Sequence, residues 1–427
     1  MENPEMDLEY YNEESGGYKT IVAWLLFMTL GFGVVWLSAG FFKYLFVGIL
    51  LYFFIRTSDY NIPERKWYVA YLVAVLGSCV YSFVFNGQNP VKVFAYSYNY
   101  LGLFSLFIFA YYRFKLDQVE KAIAVISIIW CCCYIFQWLI YPRIIWSGAA
   151  NEITVNEEFF RMRMPGSICS YCLFLYGINK WLVSKKPFYV GCTALALIPI
   201  FIMGFRSLTA ATVICAFLLI GVVTKKVGKM VVWAAVFSVL GICALNIPIV
   251  SEKMEEMIER NEDDQNFDNE DYVRYFEYDY FANEFFVKPG EKFFGSGASL
   301  YDQSKYGRKL MTVEDRLSFF WVDLGLVGLS WIIGIPAVII FLIILYKGVR
   351  NCRDDGLQYI RFTIITVVVA SIVTSMEAFR DGNQLIMGLY LYAIMLSARR
   401  DKEASDSDGT LNSENLIDDE NRNPYLS

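Results

Sequence analysis

Apolar runs of helical length that carry almost no charge recur along this chain, at 21–37, 93–112, 188–204, 231–250 and 319–346. A run near twenty residues is about what a helix needs to cross a roughly 30 Å hydrocarbon core. A helix also satisfies its own backbone hydrogen bonds there, and the alternating apolar and polar positions of barrel strands are absent. The pattern predicts helices at 20–38, 40–55, 67–85, 92–112, 118–141, 165–183, 187–204, 207–223, 230–249, 318–346, 358–376 and 384–398. The second is short, and a re-entrant hairpin there is an alternative. The expected fold is all-α: a polytopic transmembrane helical bundle of about twelve spans, with one large, partly helical loop.

Orientation follows from lysine and arginine in the short loops. One set of loops carries Arg56, Arg65 and Lys66; Arg113 and Lys115; Lys185 and Lys186; Lys225, Lys226 and Lys229; Lys347, Arg350, Arg353 and Arg361; Arg399, Arg400 and Lys402. The opposite short loops hold only Lys43, Lys92, Arg206 and Arg380. The first set is expected on the cytoplasmic side, with both chain ends beside it. That divides the chain into a cytoplasmic acidic tail at 1–19, nine spans over 20–249, an extracytoplasmic loop at 250–317, three spans over 318–398 and a disordered acidic tail at 399–427.

Composition agrees and narrows the classes: 56% of the 427 residues are hydrophobic and 18% aromatic, and mean hydropathy is +0.40. The formal net charge of −6 comes from acid gathered at 1–18, 251–271 and 401–420. No basic stripe suggests nucleic acid as a partner. The first residues have neither a basic n-region nor a cleavage site, so the first helix is expected to be retained. The chain has ten cysteines and no histidine. Cys131-Cys132-Cys133 and Cys169-x-x-Cys172 have metal or redox spacing, but each lies in an apolar helix without further ligands, where small apolar packing is the better reading. The missing histidine excludes histidine catalysis and most zinc sites. Neither a cofactor nor a metal is expected.

Chemistry is expected on the outer side. Two segments there are longer than turns, 142–164, with Arg143, Arg161 and Arg163, and 251–317. Val250, Met254, Met257 and Ile258 recur at helical spacing, and the aromatic run 272–286 predicts a second helix ending at Lys288-Pro289-Gly290. Arg206, in Phe205-Arg206-Ser207 between two apolar helices, either snorkels to lipid head groups or serves a site. Arg274 opens the aromatic helix, which runs on to Gly295-Ser296-Gly297. Glu314-Asp315-Arg316 precedes the next span, which contains Asp323 and Gly325-Leu326-Val327-Gly328. An intramembrane carboxylate faces a partner or a cavity, and Arg206 and Arg380 are the candidates for Asp323.

The order and sidedness of these motifs resemble the O-antigen polymerase and O-antigen ligase superfamily of membrane glycosyltransferases, by motif over about 190–345 and by topology over the whole chain. In that family a helix ends in a Ser-Arg-Gly-like turn outside the membrane. A large outer loop then carries an arginine-led helix and a Gly-x-Gly motif, and a His- or Asp-led motif precedes an x-Gly-Leu-Ile-Gly span start. The matches are Phe205-Arg206-Ser207, Arg274 with Gly295-Ser296-Gly297, and Glu314-Asp315 ahead of Gly325-Leu326-Val327-Gly328. Ligases of the family carry histidine where Glu314 falls, so the resemblance points to the polymerase branch.

The resemblance implies a fold like the GT-C-type membrane glycosyltransferases, in the bacterial cytoplasmic (inner) membrane. It implies transfer of a glycan from a polyprenyl-diphosphate-linked oligosaccharide to the sugar hydroxyl of another lipid-linked repeat unit. The product would be an O-antigen, capsule or exopolysaccharide, with a chain-length regulator as a plausible partner. A diphosphate leaving group needs permanent positive charge, which Arg206 and Arg274 would supply, with Arg163, Arg316 and Arg380 as secondary candidates. Glu314 or Asp315 would serve as base or hydrogen-bond acceptor for the incoming hydroxyl. Other readings are a ligase moving a finished glycan to a different acceptor, and a transporter of lipid-linked oligosaccharide.

Overall fold

A computed structural model describes residues 17–31, 40–141, 143–146, 164–226, 273–288, 290–373 and 377–421. Every element is helical, and no strand occurs among these residues. The helices expected from 230 and from 250, and Arg163, lie outside them. In chain order the helices are α1 (Gly17–Leu26), α2 (Gly40–Arg56), α3 (Arg65–Asn86), α4 (Pro90–Tyr96), α5 (Tyr98–Leu101), α6 (Ser105–Tyr111), α7 (Leu116–Leu139), α8 (Ile168–Ser184) and α9 (Pro187–Met203). They continue with α10 (Arg206–Thr224), α11 (Val273–Tyr280), α12 (Glu291–Phe294), α13 (Lys305–Leu317), α14 (Gly325–Ile333), α15 (Ile335–Asn351), α16 (Gln358–Val373) and α17 (Asn383–Asn421).

Among the described residues, four helices are long and apolar enough to cross a membrane, or up to six if each of two bent pairs is one span. This is the architecture of a helical membrane protein. The interior is built around α8 and the apolar part of α17. Residues 168–179 of α8 are buried all round, which a helix tolerates only when neighbours surround it. Those neighbours are α7, α9, α10 and α16, while α17 packs on α6, α7 and α15. Four thiols, those of Cys131, Cys169, Cys172 and Cys192, lie in this interior, and all nine described cysteines are unpaired.

Contacts sort the loops into two ends. At one end Lys347 pairs with Glu64 at 2.7 Å, Arg400 with Asp354 at 2.6 Å and Lys225 with Asp355 at 3.7 Å. There Arg399 also donates to the Asn61 carbonyl, and Tyr392 to that of Phe114. At the other end Lys43 lies over the Tyr96 ring, Lys92 donates to Gln303, Tyr98 to Asp381, and the Gly166 amide to the Asp381 carbonyl. The Lys/Arg-rich loops thus gather at one end and the sparsely charged ones at the other. The 17-residue α2 runs between these ends as one helix rather than as a hairpin.

Two expected straight helices are broken, each for a visible reason. The segment expected at 92–112 bends by 54° between α4 and the residues 98–111. Asn89 caps α4, accepting from the Val91 and Lys92 amides, and Pro90 supplies a preset first turn. Ser97 then returns its hydroxyl to the Val93 carbonyl at 2.8 Å, a back-bond that bends helices. The segment expected at 318–346 is broken at Gly334 (φ +89°), between α14 and α15. Pro336 has no amide hydrogen to return to Ile332. That carbonyl accepts from the Gly297 amide (2.9 Å) and the Ser78 hydroxyl (2.7 Å), and the Trp331 carbonyl from the Ser296 amide (2.8 Å). Gly295-Ser296-Gly297 is therefore a backbone clamp on a broken helix.

Past the membrane-length part, α17 continues as helix through Asn421, where the sequence alone suggests a disordered tail from 399. Residues 396–408 contain neither glycine nor proline to stop it.

Candidate functional site

The site is assembled at the end opposite the Lys/Arg-rich loops, around an elbow between α13 and α14. Ser304 caps α13 by accepting the Gly307 amide at 2.8 Å. Tyr306, Leu310 and Val313 bury one face, and Ser318 stops the helix in the left-handed region at φ 55°. The chain then turns by 88° into the segment that begins at Trp321.

Glu314 lies at the edge of the buried face, half-buried, and accepts from the Tyr301 hydroxyl at 3.3 Å. Burial pushes its carboxyl up to about 7; the neighbouring Asp315 charge adds to this, and the Tyr301 hydrogen bond opposes it. Asp315 and Arg316 are exposed, so the two alternative carboxylates, Glu314 and Asp315, have different surroundings.

A second carboxyl reaches the same elbow from α11. Glu277 is 3% exposed, and its Oε1 accepts the Phe320 amide at 3.1 Å, while Oε2 is buried without a hydrogen-bond partner. Burial is the main cause that raises this carboxyl to about 7, and the Asp323 charge acts in the same sense. The Phe320 amide and Arg274 act against it. Sequence reasoning passed over Glu277, although a signal exists: Glu277, Phe281 and Phe285 recur every four residues, so the carboxyl extends an aromatic stripe that must be buried. Arg274, half-buried at the start of α11, is within electrostatic range of Glu277.

Arg380 belongs to a buried network. Its Nε lies 2.5 Å from Oε2 of Glu377, whose side chain is 1% exposed. The Ser167 hydroxyl donates to Glu377, and the Asn383 amide group donates to the Glu377 carbonyl at 2.7 Å and to its carboxylate at 3.2 Å. Asn383 in turn accepts from the Ile168 amide at 3.1 Å. The guanidinium of Arg380 lies over the Phe205 ring at 5.1 Å, immediately before Arg206, the first residue of α10. Arg380 thus pairs with Glu377 rather than with Asp323, which instead occupies a 3₁₀ turn beside Glu277. Glu377 was also missed, although Glu377-x-x-Arg380 is an opposite-charge pair at helical spacing in an otherwise apolar stretch.

The candidates with described side chains fall into two groups at one end: Arg380 with Glu377 and Phe205, and Arg274, Glu314 and Glu277 around the elbow. Chemically, the first group offers guanidinium charge for an anion, and the second offers carboxyls able to take or hold a proton near neutrality. No group of three or more ligating side chains that could hold a metal occurs among the described residues. No protein-family model matches this chain, and no curated protein sequence is significantly similar to it.

Proposed function

We propose that this membrane protein polymerises lipid-linked oligosaccharide repeat units into a surface polysaccharide, working at the outer face of a bacterial cytoplasmic membrane. In this reading the chain crosses about twelve times, with both ends cytoplasmic, because the Lys/Arg-rich loops mark that side. The donor is a glycan on polyprenyl diphosphate. Arg206, Arg274 and Arg380 hold the diphosphate, and Arg163 and Arg316 are further candidates from the same side of the chain. Glu314 takes the proton of the attacking sugar hydroxyl while the bond from the donor sugar carbon to the diphosphate oxygen breaks. The diphosphate leaves with that electron pair.

One observation carries the reading: a carboxyl raised to about 7 and three arginine positions occur at the end opposite the basic loops. A base works best when its pKa lies near the operating pH, and this chain has no histidine for that task. The test is reconstitution of the full chain with defined polyprenyl-diphosphate repeats, following product length. Lengthening that is lost in Arg206→Ala and Arg274→Ala, with normal insertion, supports the proposal; lengthening that survives both refutes it. Transfer of finished chains to another acceptor would indicate a ligase, and movement of label without transfer would indicate a transporter.

A further inference from the structure

The Lys/Arg-rich end carries a cavity of about 730 Å³ that the proposed transfer chemistry does not use. Of its lining residues, Arg113, Arg399 and Lys402 are exposed, Leu396 is half-buried, and Phe114 and Tyr392 are buried. A smaller cavity of about 200 Å³ adjoins it, shares Arg399 and Lys402, and adds Lys347.

The arginines are held in place. The 57–62 turn sets Tyr60 under the Arg113 guanidinium at 5.4 Å and gives its Asn61 carbonyl to Arg399. Tyr392 directs its hydroxyl to the Phe114 carbonyl at 2.9 Å, so its polar atom is already satisfied within the wall. The result is two held arginines, with Lys402 beside them, next to an apolar lining from α17 and the turn that follows α6. Two carboxylates also line the cavity, Asp59 and Glu403. Glu403 follows Arg399 by one helical turn and offsets part of its charge, but three cations against two carboxylates leave the lining net positive.

We propose that this cavity binds the phosphate head of an anionic membrane lipid, with the start of its hydrocarbon against the apolar wall. Two features select this ligand. Arginine presents several N–H donors in a plane that matches phosphate oxygens. An apolar wall on helices that pack into the bundle suits a phosphate that arrives with hydrocarbon attached, and basic pockets between transmembrane helices recognise such head groups. A free phosphate would use the cations and leave the wall idle. The inference does not rest on the polymerase reading, because it uses residues at the opposite end.

The test uses the full chain in neutral detergent, with retained lipid read by native mass spectrometry and thermal shift read in parallel. The probes are phosphatidylglycerol, phosphatidylcholine and inorganic phosphate. Phosphatidylglycerol is expected to be retained and to raise the melting temperature, and phosphatidylcholine is not. The Arg113→Gln, Lys402→Gln double variant, which leaves the Arg399 contact intact, should lower phosphatidylglycerol affinity about tenfold or more, as expected for two lost charge-assisted contacts. Arg113→Lys with Lys402 unchanged should restore most of it. Equal retention of both lipids, undiminished retention in the double variant, or an equal shift with inorganic phosphate alone would each overturn the proposal.

Discussion

The clamp on the broken α14–α15 helix makes a quantitative claim about Gly295. Its backbone sits at φ 82°, ψ 161°, a region that essentially only glycine adopts, and holding another residue there costs about 1–3 kcal/mol. A Cβ built on Gly295 would lie 2.4 Å from the Ile332 carbonyl oxygen and 2.5 Å from the Gly334 nitrogen. Both are backbone atoms, so the loop itself must withdraw. Withdrawal weakens the bonds from the Ser296 and Gly297 amides (2.8 and 2.9 Å) to carbonyls that Ile335 and Pro336 leave unpaired. A buried polar group left without its partner costs about 1–3 kcal/mol. Gly295→Ala should therefore destabilise the fold by about 2–6 kcal/mol. Gly77→Ala is the matched control. Gly77 lies inside α3 with nothing within 4 Å of the new methyl, and there alanine is favoured by roughly 0.5–1 kcal/mol. Thermal unfolding in detergent, followed by tryptophan fluorescence, should separate the two by several degrees. Limited proteolysis should cut the 288–304 loop faster in Gly295→Ala. Equal melting temperatures for Gly295→Ala, Gly77→Ala and the parent would refute the clamp.

Three further outcomes follow from the site. Glu277 has a folded pKa of about 7, above the unfolded value near 4.5, so its stabilising protonated form is fully present below about pH 4.5 and is lost as pH rises through 7. Melting temperature should fall over that window, and Glu277→Gln should flatten the slope. Glu314 acting as base requires its ionised form, so the transfer rate should rise with pH through about 7. Glu314→Gln should abolish both the rise and most of the activity; an unchanged pH–rate profile would remove Glu314 from the mechanism. Glu377→Ala leaves the Arg380 charge in a buried setting without its carboxylate and should cost about 3–5 kcal/mol. The double change Glu377→Ala, Arg380→Ala should melt above the single one, and additive losses would show that the two charges are not coupled.

The apolar runs carried the helical class and the two-ended sorting of loops, because lysine and arginine at a helix end need no tertiary information to be read. They did not carry the breaks. A hydropathy run is blind to the Ser97 back-bond and to the carbonyls that Pro336 leaves for Ser296 and Gly297. Arg206, Arg274, Glu314 and Arg380 were legible as outer polar residues, and the structure gives the last three different neighbours. Glu277 and Glu377 were not picked out, because burial of a carboxyl depends on what packs over it: Phe320 for one, and Ser167 with Asn383 for the other. A stripe of spacing contained the first and a charge pair the second.

The unpaired thiols in the bundle interior bear on how this molecule can be interrogated. Reaction with a maleimide needs a thiolate and a path for the reagent, and a thiol enclosed by apolar side chains has neither. Six of the nine described cysteines besides Cys352 are buried, and Cys132 and Cys133 sit within the apolar stretch of α7, away from either end. A charged, membrane-impermeant reagent should therefore leave these native sulfurs largely untouched. A single cysteine placed outside the helices, at Lys185 for instance, would then report its own compartment against a quiet background, with no need to strip the core of the small side chains that fill it.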